Sequence, residues 1–228
     1  MTGKPLTKPG LLVVLAAALP AATARGEEFW VDPNKGNSNF AAVFDAPLGE
    51  RINAVSSQVS CNATYDDKTL TLSGKCSVPL PSVKVDSDDT KTDHFQQWVT
   101  NKKSPAKECW FGATFDGVKL SEPLTANKSG SFAADVSFTV CGRARADGGK
   151  ERVTGKVTLF PPGAFGDSKV LKVRGRVEKF NRDAYKIGPK HTEGWLSRVQ
   201  QLAPVVAEDG AIEISLIAKA KASPAMSK

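Results

Sequence analysis

Between Cys109 and Gly142 the sequence alternates apolar and polar residues along two successive stretches. In the first, CWFGATFDGVKL, Phe111, Ala113 and Phe115 recur at every second position. In the second, SFAADVSFTVCG, Phe132, Ala134, Val136, Phe138 and Val140 do the same, with Ala133, Asp135, Ser137 and Thr139 between them. Successive side chains of a strand point to opposite faces, so a period of two marks a strand with one dry face. Pro123 and the Asn127–Gly130 run supply turn chemistry, which makes the whole a long β-hairpin. The outgoing phase slips at Asp116-Gly117, after which Val118 and Leu120 hold the apolar positions. A β-bulge at that dipeptide keeps both halves facing one interior. Such a hairpin suits a sandwich as well as a barrel.

The flanking stretches carry the same period. Phe40–Phe44 and Val55–Tyr65 alternate, with Val55, Val59, Cys61, Ala63 and Tyr65 on one face. Asp66-Asp67-Lys68 makes a turn, and Leu70, Leu72, Gly74, Cys76 and Val78 follow. Setting Cys61 opposite Cys76 places Tyr65 opposite Leu72 and Val59 opposite Val78, all on one face. The four cysteines allow three connectivities. This register selects Cys61–Cys76 and leaves Cys109–Cys141. The second pair flanks the hairpin symmetrically about Thr125, but the bulge puts Cys141 one residue out of step. A further irregularity near Gly142 is expected to absorb that slip.

Pro79 and Pro81 end a strand or confine it to an edge. Asp86–Lys91 is acidic, yet Thr90 stands where an EF-hand expects another oxygen ligand of the usual kind and no glycine follows. It reads as a solvated turn, and no metal is expected. Thr92 or Asp93 is expected to cap a short helix ending near Asn101, with Phe95, Trp98 and Val99 packed on the sheet. Asp147-Gly148-Gly149 is a hairpin turn. Val153, Gly155, Val157 and Leu159 form the next strand, closed by Pro161-Pro162-Gly163. Leu171, Val173, Gly175 and Val177 form another, interleaved with Lys172, Arg174, Arg176 and Glu178. A helix is expected from His191 to Leu202, with Trp195, Leu196, Val199 and Leu202 on one face. Ile212, Ile214, Leu216 and Ala218 mark the last strand, and residues 221–228 a frayed tail. Glycines 74, 112, 155 and 175 fall within strands, where each either relieves a barrel corner or leaves space beside a ligand. No repeat or linker divides the chain. The expectation is one all-β domain over residues 25–220: an antiparallel barrel of about eight strands, with one or two short helices in the connections.

The first residues have a different character. Lys4 and Lys8, the apolar run Leu11–Leu19, Pro20 and Ala22-Thr23-Ala24 have the order of a secretory signal peptide, so residues 1–24 are expected to be removed after Ala24. The alternative is an uncleaved anchor, although the run is short for a bilayer. The expected location is periplasmic or secreted, and an exported chain with paired cysteines favours disulfides over thiols. Losing Lys4 and Lys8 lowers the formal charge of +7 by two. The remaining charges are mixed along the strands, as on a solvated surface rather than a nucleic-acid face. Weak attraction to an anionic membrane surface is compatible with them.

Little points to catalysis. Neither His94 nor His191 sits in zinc-type spacing, and no nucleophile elbow, P-loop or dinucleotide fingerprint occurs. Disulfides would remove the thiolates a Cys–His pair needs. No pair of acids stands out for glycoside hydrolysis. The expectation is a non-enzyme without cofactor. Two classes remain: a barrel that carries an apolar ligand, and a filled β-domain acting as a protein-interaction module.

The order of four short segments favours the first. Phe138-Thr139-Val140-Cys141-Gly142 resembles the L-T-I-x-G strand of the YceI-like, lipocalin-like, polyisoprenoid-binding periplasmic proteins. Lys91-Thr92-Asp93-His94-Phe95 is similar to their R-D-x-H-L segment, and Pro105 with Cys109–Phe115 to the proline and phenylalanine strand that follows. Asn181-Arg182-Asp183-Ala184-Tyr185-Lys186-Ile187-Gly188 resembles their D-R-x-D-F-G-I motif. Together these span roughly residues 40 to 220. Arg143-Ala144-Arg145 replaces the family's threonine-lysine-proline, and the cysteines and Trp195 helix are not part of its pattern. The resemblance implies a lipocalin-like barrel enclosing an elongated lipid such as a polyisoprenoid or quinone tail. Such a ligand is expected to lie beside Phe111, Phe115, Val136 and Phe138.

Overall fold

The hairpin is formed by β7 (Trp110–Lys119) and β8 (Ser129–Val140) in the computed structural model, which describes residues 26–101, 108–192 and 206–221. Phe111 pairs with Val140 and Ala113 with Phe138. The bulge lies where the phase slips. On the neighbouring strand β5 (Thr71–Pro79), Leu72 pairs with Val118 but Gly74 with Phe115, so Asp116 and Gly117 together face Ser73. Gly117 has φ 60°, left-handed backbone that favours glycine. The Ser73 hydroxyl accepts from Gly117 N–H (2.8 Å) and donates to Asp116 Oδ1 (3.1 Å). The side chain thereby satisfies groups the interrupted ladder leaves open.

The barrel follows from the strand order. β1 (Glu27–Val31), β4 (Ser60–Asp66), β5, β7, β8, β10 (Glu151–Phe160), β11 (Val170–Asn181) and β12 (Asp209–Ala220) are successive antiparallel neighbours. β12 then returns to β1, with Phe29 opposite Ala220 and Trp30 opposite Lys219, closing a ring of eight strands. Closure removes the open edges that would otherwise invite pairing with other chains. β12 is long enough for two partners. Its first half pairs with β2 (Asn39–Asp45), from Gly210 opposite Phe44 to Ser215 opposite Asn39. Between the two partners, Ile217 N–H donates to the buried Ser38 hydroxyl (3.0 Å). β2 pairs with β3 (Arg51–Ser56), and β3 with β6 (Lys84–Val85). α1 (Asp89–Thr100) follows β6 and packs beside it, while β9 (Arg143–Ala144) pairs with the end of β8.

Both disulfides have the expected connectivity. Cys61 lies opposite Cys76 and Tyr65 opposite Leu72, and the two cysteines are bonded with Cα atoms 4.1 Å apart. Cys109 and Cys141 are bonded with Cα atoms 4.5 Å apart. The second irregularity is at Cys141 itself, whose φ of 47° precedes Gly142 at 76°. This left-handed pair turns the chain just after Val140 and brings the sulfur back toward Cys109.

Several expectations require correction. Val55–Tyr65 is not one alternating strand: β3 ends at Ser56 and β4 begins at Ser60. The Ser56 hydroxyl accepts from Gln58 N–H (3.0 Å) and stabilises the turn between them. Val55 is therefore exposed, and Ala54 and Ser56 are buried. The helix starts before Thr92, because Asp88 caps it by accepting from Lys91 N–H (2.9 Å). Thr92 lies inside it, donating to Asp88 O (2.7 Å) and accepting from Val85 N–H (3.0 Å). Two in-strand glycines admit protein rather than ligand. A Cβ at Gly74 would fall 2.8 Å from Phe115 Cζ, and one at Gly155 2.7 Å from the Phe132 ring. Past a 3-10 turn at Pro189–His191, the helix expected to Leu202 lies outside the described residues from Glu193 onward. Residues 1–24, Pro105 and 222–228 also lie outside them, whereas Lys221 N–H donates to Glu28 O (2.8 Å).

Candidate ligand-binding interior

The alternating strands turn their apolar residues inward, and these do not fill the interior completely. Three cavities lie in series. The outermost, about 140 Å³, lies beside β2, β3 and α1, between Phe40, Phe44, Ile52, Phe95, Trp98, Phe111, Phe180, Ile187 and Val206. A constriction of about 30 Å³ follows, lined by Phe40, Val59, Val78, Phe111, Phe138 and Ile214. The deepest cavity, about 90 Å³, is lined by Phe29, Leu72, Phe115, Phe132, Val136, Phe138, Leu171 and Leu216 among others. Phe40 and Phe111 belong to the first two, and Phe138 and Ile214 to the last two. Phe95, Phe111 and Phe40 form an aromatic stack, with centroid separations of 6.3 and 5.4 Å, between the outer space and the constriction.

The residues expected beside a ligand divide between these spaces. Phe115, Val136 and Phe138 line the deepest cavity, and Phe111 the outer one and the constriction. Phe111 and Phe138 meet at the constriction. The outer space is not among the sequence expectations, because its wall combines β2, β3, α1 and the end of β11. Phe180 reaches it through a bulge: Val177 pairs with Ile212 but Phe180 with Gly210, so Glu178 and Lys179 face Ala211. Without that extra residue Phe180 would point outward.

The outer cavity is bounded by buried polar groups from the Asn181–Gly188 segment. Arg182 is only 4% exposed. Its Nε donates to Ala207 O (3.0 Å), Nη1 to Ile187 O (2.7 Å) and Nη2 to Val206 O (2.7 Å). Its guanidinium also stands 5.7 Å from the centre of the Trp98 ring. Burial lowers its pKa, against the opposing pull of Glu208 and Asp183. Gly188 is required here: φ is 137°, and a Cβ would fall 2.1 Å from Arg182 Nη1.

Behind this wall, the fully buried Tyr185 donates its hydroxyl to Glu151 Oε1 (2.9 Å), which Arg145 Nη1 also reaches (2.8 Å). Burial, then the hydrogen bond to Glu151, raises the Tyr185 phenol above its usual pKa. Arg143 Nε donates to Tyr185 O (3.1 Å), and its Nη2 to Val99 O, linking the network to α1. Asp183 accepts from Lys190 and His191, whose hydrogen bonds hold its carboxyl below the usual range. These contacts brace the cavity wall and surround no reacting centre. Among the described residues no cluster of three or more histidine, cysteine or acidic side chains could hold a metal. No described helix is long and apolar enough to cross a membrane.

The chain matches no protein-family model and no curated protein. It is similar in structure to a polyisoprenoid binding domain from Saccharophagus degradans implicated in plant cell wall breakdown. The TM-score is 0.60, over 86% of this chain and 99% of that one, at 10% identity. At that identity the two share a fold, and the likeness extends over most of the barrel.

Proposed function

We propose that this is an exported, non-catalytic lipid-binding protein, a divergent YceI-like barrel enclosing a polyisoprenoid or another elongated apolar tail. The observation that carries the reading is the series of cavities, walled almost wholly by apolar side chains and running from the outer space to the depth of the barrel. The polyisoprenoid-binding neighbour and the order of the family-like segments support it. A tail leaving water is stabilised by roughly 25 cal/mol per Å² of apolar surface removed, so it needs few polar contacts. A tail extending from the outer space to Phe115 and Val136 must turn the Phe111 and Phe40 rings aside. Export rests on the signal-like residues 1–24 and is consistent with two disulfides.

The outer barrel face supplies a surface for peripheral contact with anionic membranes. Lys156 lies opposite Arg174, with Lys172 and Lys219 on the same side, and none of the four has an acidic partner among the described residues. The competing reading is a filled β-domain that binds protein, favoured by the aromatic rings that crowd the constriction. Native mass spectrometry and organic extraction of the exported protein test the choice. An apolar molecule of defined mass leaving with the protein is the expected result. A protein that carries none, and takes up none from prenol or quinone micelles, overturns the lipid-binding reading.

A further inference from the structure

The unpaired cations of the outer barrel face surround an apolar centre. Lys172 lies opposite Ile217 on β12, and Lys219, two residues further on, lies opposite Trp30 on β1. Residues directly opposite one another share a face of the sheet, so Trp30 and Ile217 stand outward among Lys156, Lys172, Arg174 and Lys219. Trp30 is 37% exposed and Ile217 half-buried. The acids that border the patch are engaged elsewhere: Glu27 by Lys169, Glu28 by Lys221 and Glu213 by Arg176.

We infer that the barrel rests on an anionic bilayer by this face, with Trp30 at the headgroup boundary and the mouth of the outer cavity held clear of the lipid. This rests on the peripheral membrane contact proposed above, adds its anchor and its orientation, and is independent of what fills the interior. Tryptophan joins a large apolar body to a polar N–H, which suits the boundary between headgroups and acyl chains. Lysine and arginine near the surface add attraction to anionic headgroups, and burial of the apolar side chain reinforces it. The strands set the orientation. β11 carries Lys172 and Arg174 and reaches the outer cavity at Phe180, roughly 25 Å beyond Lys172 at about 3.3 Å per residue. Beside the residues that line the outer cavity, Glu50, Asp88, Asp93 and Lys186 are exposed and form no ion pair among the described residues. Charges of both signs are thus mixed there, without the one-sign field that would draw the mouth to an anionic surface. A docked molecule keeps its mouth open to water, where a lipid can pass to or from a partner in the aqueous phase.

The test measures retention of the exported protein on vesicles of phosphatidylcholine alone and of phosphatidylcholine with phosphatidylglycerol. Retention is expected only on the second, and should fall as salt is raised. Lys172→Glu with Lys219→Glu should weaken it by at least about tenfold. Trp30→Ser should weaken it severalfold. Leu48→Ser reads the orientation, because Leu48 is fully exposed in the β2–β3 turn, beside the Phe44 and Ile52 wall of the mouth. Its loss should leave retention unchanged. Thermal melting checks the fold of each variant. Unchanged retention in Trp30→Ser or in the double variant, or a loss in Leu48→Ser, overturns the proposal. So does a parent protein that binds neither vesicle, including one that binds a soluble polyanion such as heparin instead. Native mass spectrometry of the same preparations reads the interior separately. Vesicle binding without an apolar ligand removes the lipid-binding reading alone, and a ligand without vesicle binding removes the docking alone.

Discussion

Phe40 stacks on Phe111, with ring centroids 5.4 Å apart, where the outer cavity narrows toward the barrel interior. Phe40 comes from β2, outside the ring of eight strands, and Phe111 from the central hairpin, so the contact joins β2 to the barrel. It also stands between the outer cavity and the constriction.

Phe111→Leu should open the way between them. Phe to Leu removes ring atoms from a buried stack and leaves space behind, so the variant should also lose about 1–3 kcal/mol of stability. The expected outcome is tighter binding of long-tailed lipids with little change for short ones. Affinity measured against tail length in parent and variant checks it. An unchanged dependence on length would show that Phe111 is no barrier.

On the outer face, Lys156 lies directly opposite Arg174. Like charges across a strand pair destabilise, so Lys156→Glu should stabilise the fold by about 0.2–1 kcal/mol. Salt screens such exposed charges. The difference in urea midpoint between variant and parent should therefore shrink as salt is raised. The same variant should weaken retention on anionic vesicles if this face meets membranes.

Tyr185 gives a pH dependence. Burial and its bond to Glu151 raise the phenol above the ordinary value of 10.0. Below pH 10 the phenol is neutral in both folded and unfolded chains, and its contribution to stability is fully present. Above that, the unfolded chain releases the proton while the folded one retains it, so stability falls as pH rises. Tyr185→Phe should remove this fall. It should also cost about 1–3 kcal/mol at neutral pH, because Glu151 loses a buried donor. Denaturation from pH 7 to 11 measures both effects, and an identical alkaline slope in the variant would refute the assignment.

Much of the barrel was legible because its information is local. A period of two located the strands, and a slip in that period located the bulge at Asp116-Gly117. The register of Cys61 against Cys76 followed from the same alternation. Other features depend on tertiary partners. The β3–β4 turn contains no glycine or proline and is held by the Ser56 hydroxyl. Thr92 looks like a cap but bonds within the helix and to β6, while Asp88 caps. Arg182 was visible only as part of a short motif. Its carbonyl partners at Val206 and Ala207 follow 24 and 25 positions later, and only folding brings them together. The outer cavity escaped the sequence for the same reason, since its wall comes from separate segments. That Phe115, Val136 and Phe138 share one interior face was legible because neighbouring strands of the sheet carry them in alternation.

Phe138→Trp separates a ligand-holding barrel from a filled one. Phe138 lines both the constriction and the deepest cavity, and its ring lies 6.4 Å from that of Phe180. The deepest cavity of about 90 Å³ adjoins it, so the larger indole has space on that side. If this space takes a lipid tail, the tryptophan should occupy it, weaken tail binding and leave the melting temperature near that of the parent. If the interior instead behaves as a filled core, the added bulk should cost about 1–3 kcal/mol through overpacking. Lipid titration and thermal melting of the same preparations distinguish the outcomes. Weakened binding at unchanged stability is the expected result. A marked loss of stability, in a protein whose parent binds no lipid, would eliminate the carrier reading and leave the outer surface as the place to look for function.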